Sequence, residues 1–434
     1  MNKQTFTDRR VRLAGQLQQG VAIITNGPEV TRNRDSHYPY RFDSYFHYLT
    51  AFPEPEAVCV VIAGNQPLSV LFCRDKDEER EIWDGYRYGA EAAKQVFGFD
   101  EAYSITQLDE KLPELLANQP RFAYLVGEDS NWDSQVLGWL NAVRAKSRAG
   151  VSAPEEIIDV RRWLDEMRLI KDDAELDVMR RAATISSAAH RRAMAKARPG
   201  KFEYEIEAEL LHDFVRHGAR HQAYSSIVAG GANACVLHYV ENSAQLKDGE
   251  LLLIDAGCEL DGYASDITRT FPVNGKFSAA QKAVYELVLQ AQLAAIDKVR
   301  PGARWNEPHD AALRLLAQGM VDLKLLQGEV DGLIEQGAYK RFYMHRTGHW
   351  LGRDVHDAGE YKIQGEWREL VPGMVLTVEP GFYIRPADDI PAEFHNIGIR
   401  VEDDVAVTAT GHEVLSSAPK TVAEIEACMA DTSN

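Results

Sequence analysis

The chain has 434 residues, 45% of them hydrophobic and 26% charged, with 48 Lys and Arg against 66 Asp and Glu for a net charge of −18. At roughly 150 residues per domain that length allows two or three domains with substantial cores, and the ordinary balance excludes a disordered chain. So large an acid excess argues against tight binding to phosphate backbones or anionic membranes, and neither is expected as a partner.

The first twenty residues are polar and charged, with no apolar core of the kind a targeting segment needs. The longest apolar runs, AVCVVIAG and ELLLIDAG, fall far short of the roughly 18 residues of a membrane span. Runs opening at Val21, Glu56, Leu68 and Arg121 read as strands, separated by charged periodic segments over 76–98 and 104–117. That is an α/β pattern around a buried sheet.

The pattern changes near residue 172. Asp172 and Glu175 stand at capping-box spacing, and Leu176, Met179, Ala183 and Ile185 mark a helical stripe that stops at Pro199 and Gly200. Residues 203–217 and 278–299 read as further amphipathic helices, and from 250 onward strands with sharp Gly or Pro turns dominate. These shifts divide the chain into an N-terminal α/β domain over 1–172 and a second, α+β domain over 173–434. Five cysteines (Cys59, Cys73, Cys235, Cys258, Cys428) are odd in number and lack CxxC spacing, which predicts buried, reduced thiols and a cytoplasmic location.

The segment ELLLIDAGCELDGYASDITRTF holds the first chemical signal. An apolar strand ends in Asp255, Asp261 and Gly262 signal a turn, and Tyr263 to Phe271 reads as the return strand. A loop centred on Leu260 and Asp261 sets Asp255 opposite Asp266, and a loop centred on Asp261 and Gly262 makes the two diagonal neighbours. Either register keeps both carboxylates on one face, because side chains alternate with period two. Close like charges leading off a buried strand are destabilising unless something neutralises them.

Further on, Glu379 stands where an apolar strand meets Pro380 and Gly381. In NIGIRVEDDVAVT, alternation sets Ile399 and Val401 on one face and Arg400, Glu402 and Asp404 on the other. A charge in mid-strand is uncommon unless it is paired or binds a metal. His345, His349 and His356 fall within twelve residues, with a spacing that is not that of the HExxH zinc proteases. Four carboxylates and a histidine, with no thiolate, suit two hard or borderline divalent cations, Mn²⁺ first and Co²⁺ or Zn²⁺ after it. Such a pair activates a shared water and polarises a carbonyl, which is hydrolase chemistry.

At these residues the chain resembles the pita-bread metallopeptidases, and specifically the aminopeptidase P (Xaa-Pro aminopeptidase) family. The resemblance runs through LHYVEN, LIDAGCELDGYASDITRTFPVNGKFS, MHRTGHWLGRDVHD, GMVLTVEPGFYI and GIRVEDDV, and through DSHYPYRFDSYFHYLTAFPEPEAV in the N-terminal half. It implies an α/β N-terminal domain that contributes to the oligomer and the substrate pocket, followed by a pita-bread catalytic domain. It implies that Asp255 binds one metal, His349 and Glu379 the other, and that Asp266 and Glu402 bridge the two.

Glu379 is then also the proton acceptor from the nucleophilic water. His238 and His356 sit over the scissile peptide, while His345, Tyr383 and Arg400 line the substrate pocket or support a bridging carboxylate. Trp83 matches an aromatic that reaches a neighbouring subunit's site, in a homodimer or homotetramer. The implied reaction removes the N-terminal residue from peptides with proline in second position.

The nearest rival is an Xaa-Pro dipeptidase with the same ligands, and a rival of another class is a non-catalytic binding or scaffold protein of the same fold. Methionine aminopeptidase leaves about 170 residues unexplained, and creatinase lacks the metal carboxylates. Arg346 and Arg353 add positive charge near the histidine loop. They read as solvated surface or, alternatively, as contacts for acidic substrate residues, with Arg353→Leu as the test.

Overall fold

The computed structural model describes residues 1–431, in two compact units that meet in sequence between Arg168 and Leu169. This break falls a few residues ahead of the 172/173 cut. Leu169 is already fully buried in the core of the second unit, and the Lys171 backbone N–H donates to Gly373 O at 2.8 Å.

The first unit is built on a six-stranded mixed sheet. Its strands, in order across the sheet, are Glu101–Ser104, Leu68–Cys73, Val58–Ala63, Gly20–Thr25, Arg121–Tyr124 and Glu156–Asp159. Val58–Ala63 pairs antiparallel to both neighbours and the remaining pairings are parallel. Alternate residues of each strand enter different cores. Ala22, Ile24, Cys59 and Val61 pack with the helices Lys3–Leu17 and Ser44–Thr50, whereas Val21, Ile23, Val58 and Val60 pack with Leu108–Leu116 and Ser130–Arg144. Helices on both faces explain why these strands read as continuous apolar runs.

The four strands read from sequence are all present. The two outer strands escaped notice because Glu101–Ser104 and Glu156–Asp159 are short and lack fully buried positions. The periodic stretch 76–98 is two helices, Glu78–Asp84 and Gly89–Phe97, parted at Gly85, whose φ of +90° a residue with a Cβ rarely adopts.

The second unit opens with the helix Asp173–Lys196, held by the expected capping box. The Glu175 N–H donates to Asp172 Oδ1 at 2.9 Å and the Asp172 N–H to Glu175 Oε2 at 3.0 Å. That helix, Glu203–Arg216, Ala279–Lys298 and Glu307–Asp322 share one large core with antiparallel strands. Leu251–Asp255 pairs with Ile227–Gly230 on one side and Thr268–Pro272 on the other. Val375–Val378 pairs with Asp403–Val407, and Gly381–Ile384 with Ile397–Arg400. This is the α+β arrangement expected for the second domain.

Two polar groups show how the core is tied down. Asp403 is fully buried and receives Arg269 at 2.7 Å, Lys420 at 2.6 Å and Gln292 at 2.7 Å, so its charge is fully compensated. His190 is fully buried on the helix Asp173–Lys196, with Nε2 donating to Ala256 O at 3.0 Å. Burial holds its imidazole at a pKa of about 4, so it is neutral at pH 7.

Candidate metal centre

The turn at Asp261 and Gly262 settles the register of the carboxylate hairpin. Both residues have positive φ, +51° and +77°, and the flanking pair is Leu260 with Tyr263. Two positive-φ positions make the tight hairpin turn that matches strand twist. Continued along the strands, that register pairs Asp255 with Thr268, so Asp255 and Asp266 are diagonal neighbours. The Tyr224 hydroxyl ties them together, donating to Asp255 Oδ1 at 2.6 Å and contacting Asp266 Oδ1.

A cavity of about 450 Å³ lies over this hairpin, and the described residues lining it all belong to the second unit. Asp255, Asp266, His349, Glu379 and Glu402 line it, as do His238, His345, His356 and Arg400. Asp266, His349 and Glu402 offer ligand atoms within 4.8 Å of one another.

His349 is oriented from behind. Its Nδ1 donates to Trp350 O at 3.0 Å, which leaves Nε2 aimed at Asp266 Oδ2 (3.3 Å) and Glu379 Oε1 (3.5 Å). A histidine fixed through one ring nitrogen presents the other as a ligand atom. The loop can make this approach because Gly348 lies flat on the strand beside it, where a Cβ would come 2.0 Å from Thr377 O. Glu379 is set by its own backbone N–H on Thr347 O (2.8 Å), and Thr377 Oγ1 donates to its carboxylate at 3.3 Å.

Arg400 connects the two halves of the site. Its Nη2 donates to Asp255 at 2.5 Å, its Nη1 to the Tyr383 hydroxyl at 3.0 Å and its Nε to Thr268 Oγ1 at 3.1 Å. The Thr268 hydroxyl in turn donates to Glu402 Oε2 at 2.6 Å. Tyr383 is buried behind the cavity and meets His345 Nε2 at 2.9 Å, while His345 Nδ1 donates to Arg346 O at 2.7 Å. Burial and the neighbouring Arg400 charge drive the His345 pKa down to about 3, so this histidine works as a neutral hydrogen-bonding wall.

The electrostatics state what the site lacks on its own. Burial and like-charged neighbours hold Glu402 well above the usual carboxylate range. Burial also raises Asp255 against the pull of Arg400, and lifts Glu379 to about 7. Burial would raise Asp266 too, but the hydrogen bond and charge of His349 bring it below its ordinary value. Burial would depress His349, and Asp266 and Glu379 lift it to about 9. Crowding four carboxylates into one dry space thus disfavours their all being ionised at once. Divalent cations would offset that charge, and oxygen and imidazole donors fit them.

His238 and His356 both lie on the open side of the cavity. The His356 ring meets that of His349 edge to face at 4.2 Å, and partial burial beside His349 lowers its pKa. Trp83 belongs to the first unit, on the helix Glu78–Asp84, and is 83% exposed. Arg353 corrects an expectation, being neither solvated surface nor open to substrate. It is 2% exposed, with its guanidinium 4.6 Å from the centre of the Tyr263 ring.

Three supporting residues were not singled out from sequence. Thr268 was within reach of the same alternation that groups Asp266 with its face. Asp404, whose carboxylate accepts the Asp266 backbone N–H at 3.1 Å, appeared in the alternation without a role. Tyr224 carried no local signal.

Residues 177–409 match the model of metallopeptidase family M24, and residues 6–124 that of the aminopeptidase P N-terminal domain. The chain is 47% identical over 433 residues to the Xaa-Pro aminopeptidase of Escherichia coli (strain K12), covering 99% of this chain and 98% of the relative. The solved structure of Pseudomonas aeruginosa aminopeptidase PepP superposes with a TM-score of 0.98 at 52% identity, covering 99% of this chain and 98% of that one. Aminopeptidase P from E. coli with the inhibitor Pro-Leu superposes with a TM-score of 0.96 at 47% identity, with coverage of 99% and 98%.

Proposed function

The chain belongs to metallopeptidase family M24 and is a metal-dependent aminopeptidase that releases the N-terminal residue of peptides with proline in second position; from that premise we propose how its residues divide the reaction. One observation carries the assignment: a single cavity takes in Asp255, Asp266, His349, Glu379 and Glu402 together with His238 and His356. We assign Asp255 to one divalent ion, His349 and Glu379 to a second, and Asp266 and Glu402 to both, with Mn²⁺ ahead of Co²⁺ and Zn²⁺. When bound, such a pair lowers the pKa of a shared water and polarises the scissile carbonyl.

Glu379 then accepts the proton of the attacking water, a role suited to a carboxylate that lines the cavity beside His349. His238 and His356, on the open side, hydrogen-bond the developing oxyanion and pass a proton to the leaving prolyl nitrogen. Arg400 and Thr268 hold Asp255 and Glu402 in place, and neutral His345 with Tyr383 closes the wall. An Xaa-Pro bond is a tertiary amide with no N–H to satisfy. The apolar side chains of Ile227, Leu237 and Val240 in the lining suit its flat ring without asking for a donor.

The family resemblance supports a homodimer or homotetramer, and the 83% exposure of Trp83 leaves that side chain available to a neighbouring subunit. Five free cysteines, four of them buried, support a reducing compartment such as the cytoplasm. No helix of the described residues is long and apolar enough to cross a membrane.

The test is hydrolysis of a matched pair, Xaa-Pro and Xaa-Pro-Yaa-Yaa, by Mn²⁺-loaded protein with Glu402→Ala as control. Preference for the longer peptide, lost in the control, is expected. Preference for the dipeptide moves the assignment to Xaa-Pro dipeptidase, and no metal-dependent cleavage of either leaves the non-catalytic reading.

A further inference from the structure

Arg346 is the cation of the cavity that the reaction above does not use. It is exposed and lines the cavity three residues before His349. No carboxylate lies within 4.0 Å of its guanidinium among the described residues, in contrast to Arg400, each of whose three side-chain nitrogens donates a hydrogen bond inside the protein. Nor is the side chain loose. Its guanidinium sits 4.8 Å from the centre of the Trp367 ring.

Trp367 is itself presented by the small hairpin Lys362–Ile363 and Glu366–Trp367, turned at Gln364 and Gly365 with φ of +53° and +87°. Lys362 pairs across that hairpin with Trp367 and places its ammonium 4.3 Å from the same ring. A guanidinium braced on an indole keeps its N–H fork free and loses less conformational freedom when it binds an anion. Arg346 thus stands at the cavity lining with a second cation, Lys362, on the same indole.

We propose that Arg346, braced by Trp367, is a carboxylate-recognition point at the rim of the cavity, and that the preferred substrates are Xaa-Pro peptides carrying a carboxylate beyond the proline. The substrate N-terminus brings an ammonium, which a guanidinium repels. The complementary charge therefore belongs to the part of the peptide that runs outward. It can come from an acidic side chain or from the terminus of a short peptide, since both offer the same planar pair of oxygens to a bidentate fork. The inference rests on the Xaa-Pro aminopeptidase reading and deepens it.

Three substrates separate the cases: Ala-Pro-Gln-amide, Ala-Pro-Glu-amide and Ala-Pro-Gln as the free acid, each assayed with Mn²⁺-loaded wild type, Arg346→Gln and Arg346→Lys. Wild type should favour a carboxylate substrate over Ala-Pro-Gln-amide in kcat/KM by about fivefold, the scale of a partly exposed ion pair. The preference should reside in KM and shrink at 0.5 M salt, because exposed charges are screened. Arg346→Gln should bring the ratio to one, and Arg346→Lys should keep part of it. Preference for the Glu substrate alone, or for the free acid alone, supports the proposal and identifies the source of the carboxylate. A wild-type ratio of one on both, or a ratio that Arg346→Gln retains, overturns it. Metal-dependent cleavage of the amide with no carboxylate preference sinks this proposal alone, whereas no cleavage of any substrate sinks the parent reading and this proposal with it.

Discussion

Lys171 and Asp357 form a buried ion pair, Nζ to Oδ2 at 2.9 Å, with each side chain 1% exposed. The pair joins the start of the second unit to the residue directly after His356. Asp357 also accepts the Asp354 N–H at 3.3 Å, while its own backbone N–H donates to Trp350 O at 2.9 Å. It therefore shapes the loop that carries both His349 and His356.

Removing one partner of a buried pair leaves an uncompensated charge and costs about 3–5 kcal/mol. Lys171→Met is expected to lower Tm by about 10 °C, at 2–4 °C per kcal/mol for a domain of this size. Lys171→Met/Asp357→Asn, which removes both charges while keeping a side-chain acceptor, should recover much of the loss but retain a reduced kcat through a displaced His356. Calorimetry with steady-state kinetics checks both. A single variant within 2 °C of wild type would show that the pair contributes little.

Tyr224 supplies the hydroxyl shared by Asp255 and Asp266. Residues that orient ligands from behind cost about 10- to 100-fold in metal affinity or activity when changed. Tyr224→Phe is therefore expected to weaken Mn²⁺ binding about tenfold and lower kcat with little change in KM. Metal titration and kinetics that both match wild type would refute this.

Metal loading should stabilise the second unit, because the site exists in the folded state alone. At a hundredfold excess over Kd the gain is about 2.7 kcal/mol, or about 5–10 °C in Tm. Glu402→Ala should abolish that gain while leaving the chelated protein folded, since an alanine removes a crowded carboxylate. An equal thermal shift in the variant would remove Glu402 from the ligand set.

His190 predicts an acid sensitivity in the chelated protein. Burial keeps its native pKa at about 4, whereas an unfolded histidine takes up its proton near 6.5. The unfolded state therefore binds more protons between those values, so the contribution is complete above pH 6.5 and is lost as pH falls toward 4. From pH 7 to pH 5 the loss is about 2 kcal/mol, at 1.36 kcal/mol per pKa unit. Urea unfolding of wild type and His190→Asn at both pH values isolates the term. Equal pH slopes in the two proteins would rule it out.

Much of this protein was legible in its sequence, for a local reason. Alternation along a strand is a property of the backbone, so Arg400, Glu402 and Asp404 share a face wherever the strand goes, and the capping box at Asp172 and Glu175 is complete within four residues. The Asp261 and Gly262 turn also contained the hairpin register, although sequence left two centrings open until both φ angles proved positive. Distance between segments is not local. What joins Asp266 to His349 and Asp255 to Arg400 is the burial of separate strand pairs against shared helices. The same tertiary packing separates two arginines that look alike in sequence. Arg353 is enclosed over Tyr263, whereas Arg346 emerges at the cavity rim on Trp367. Residue types supplied the chemistry, and burial decided which of them share water, charge and a substrate.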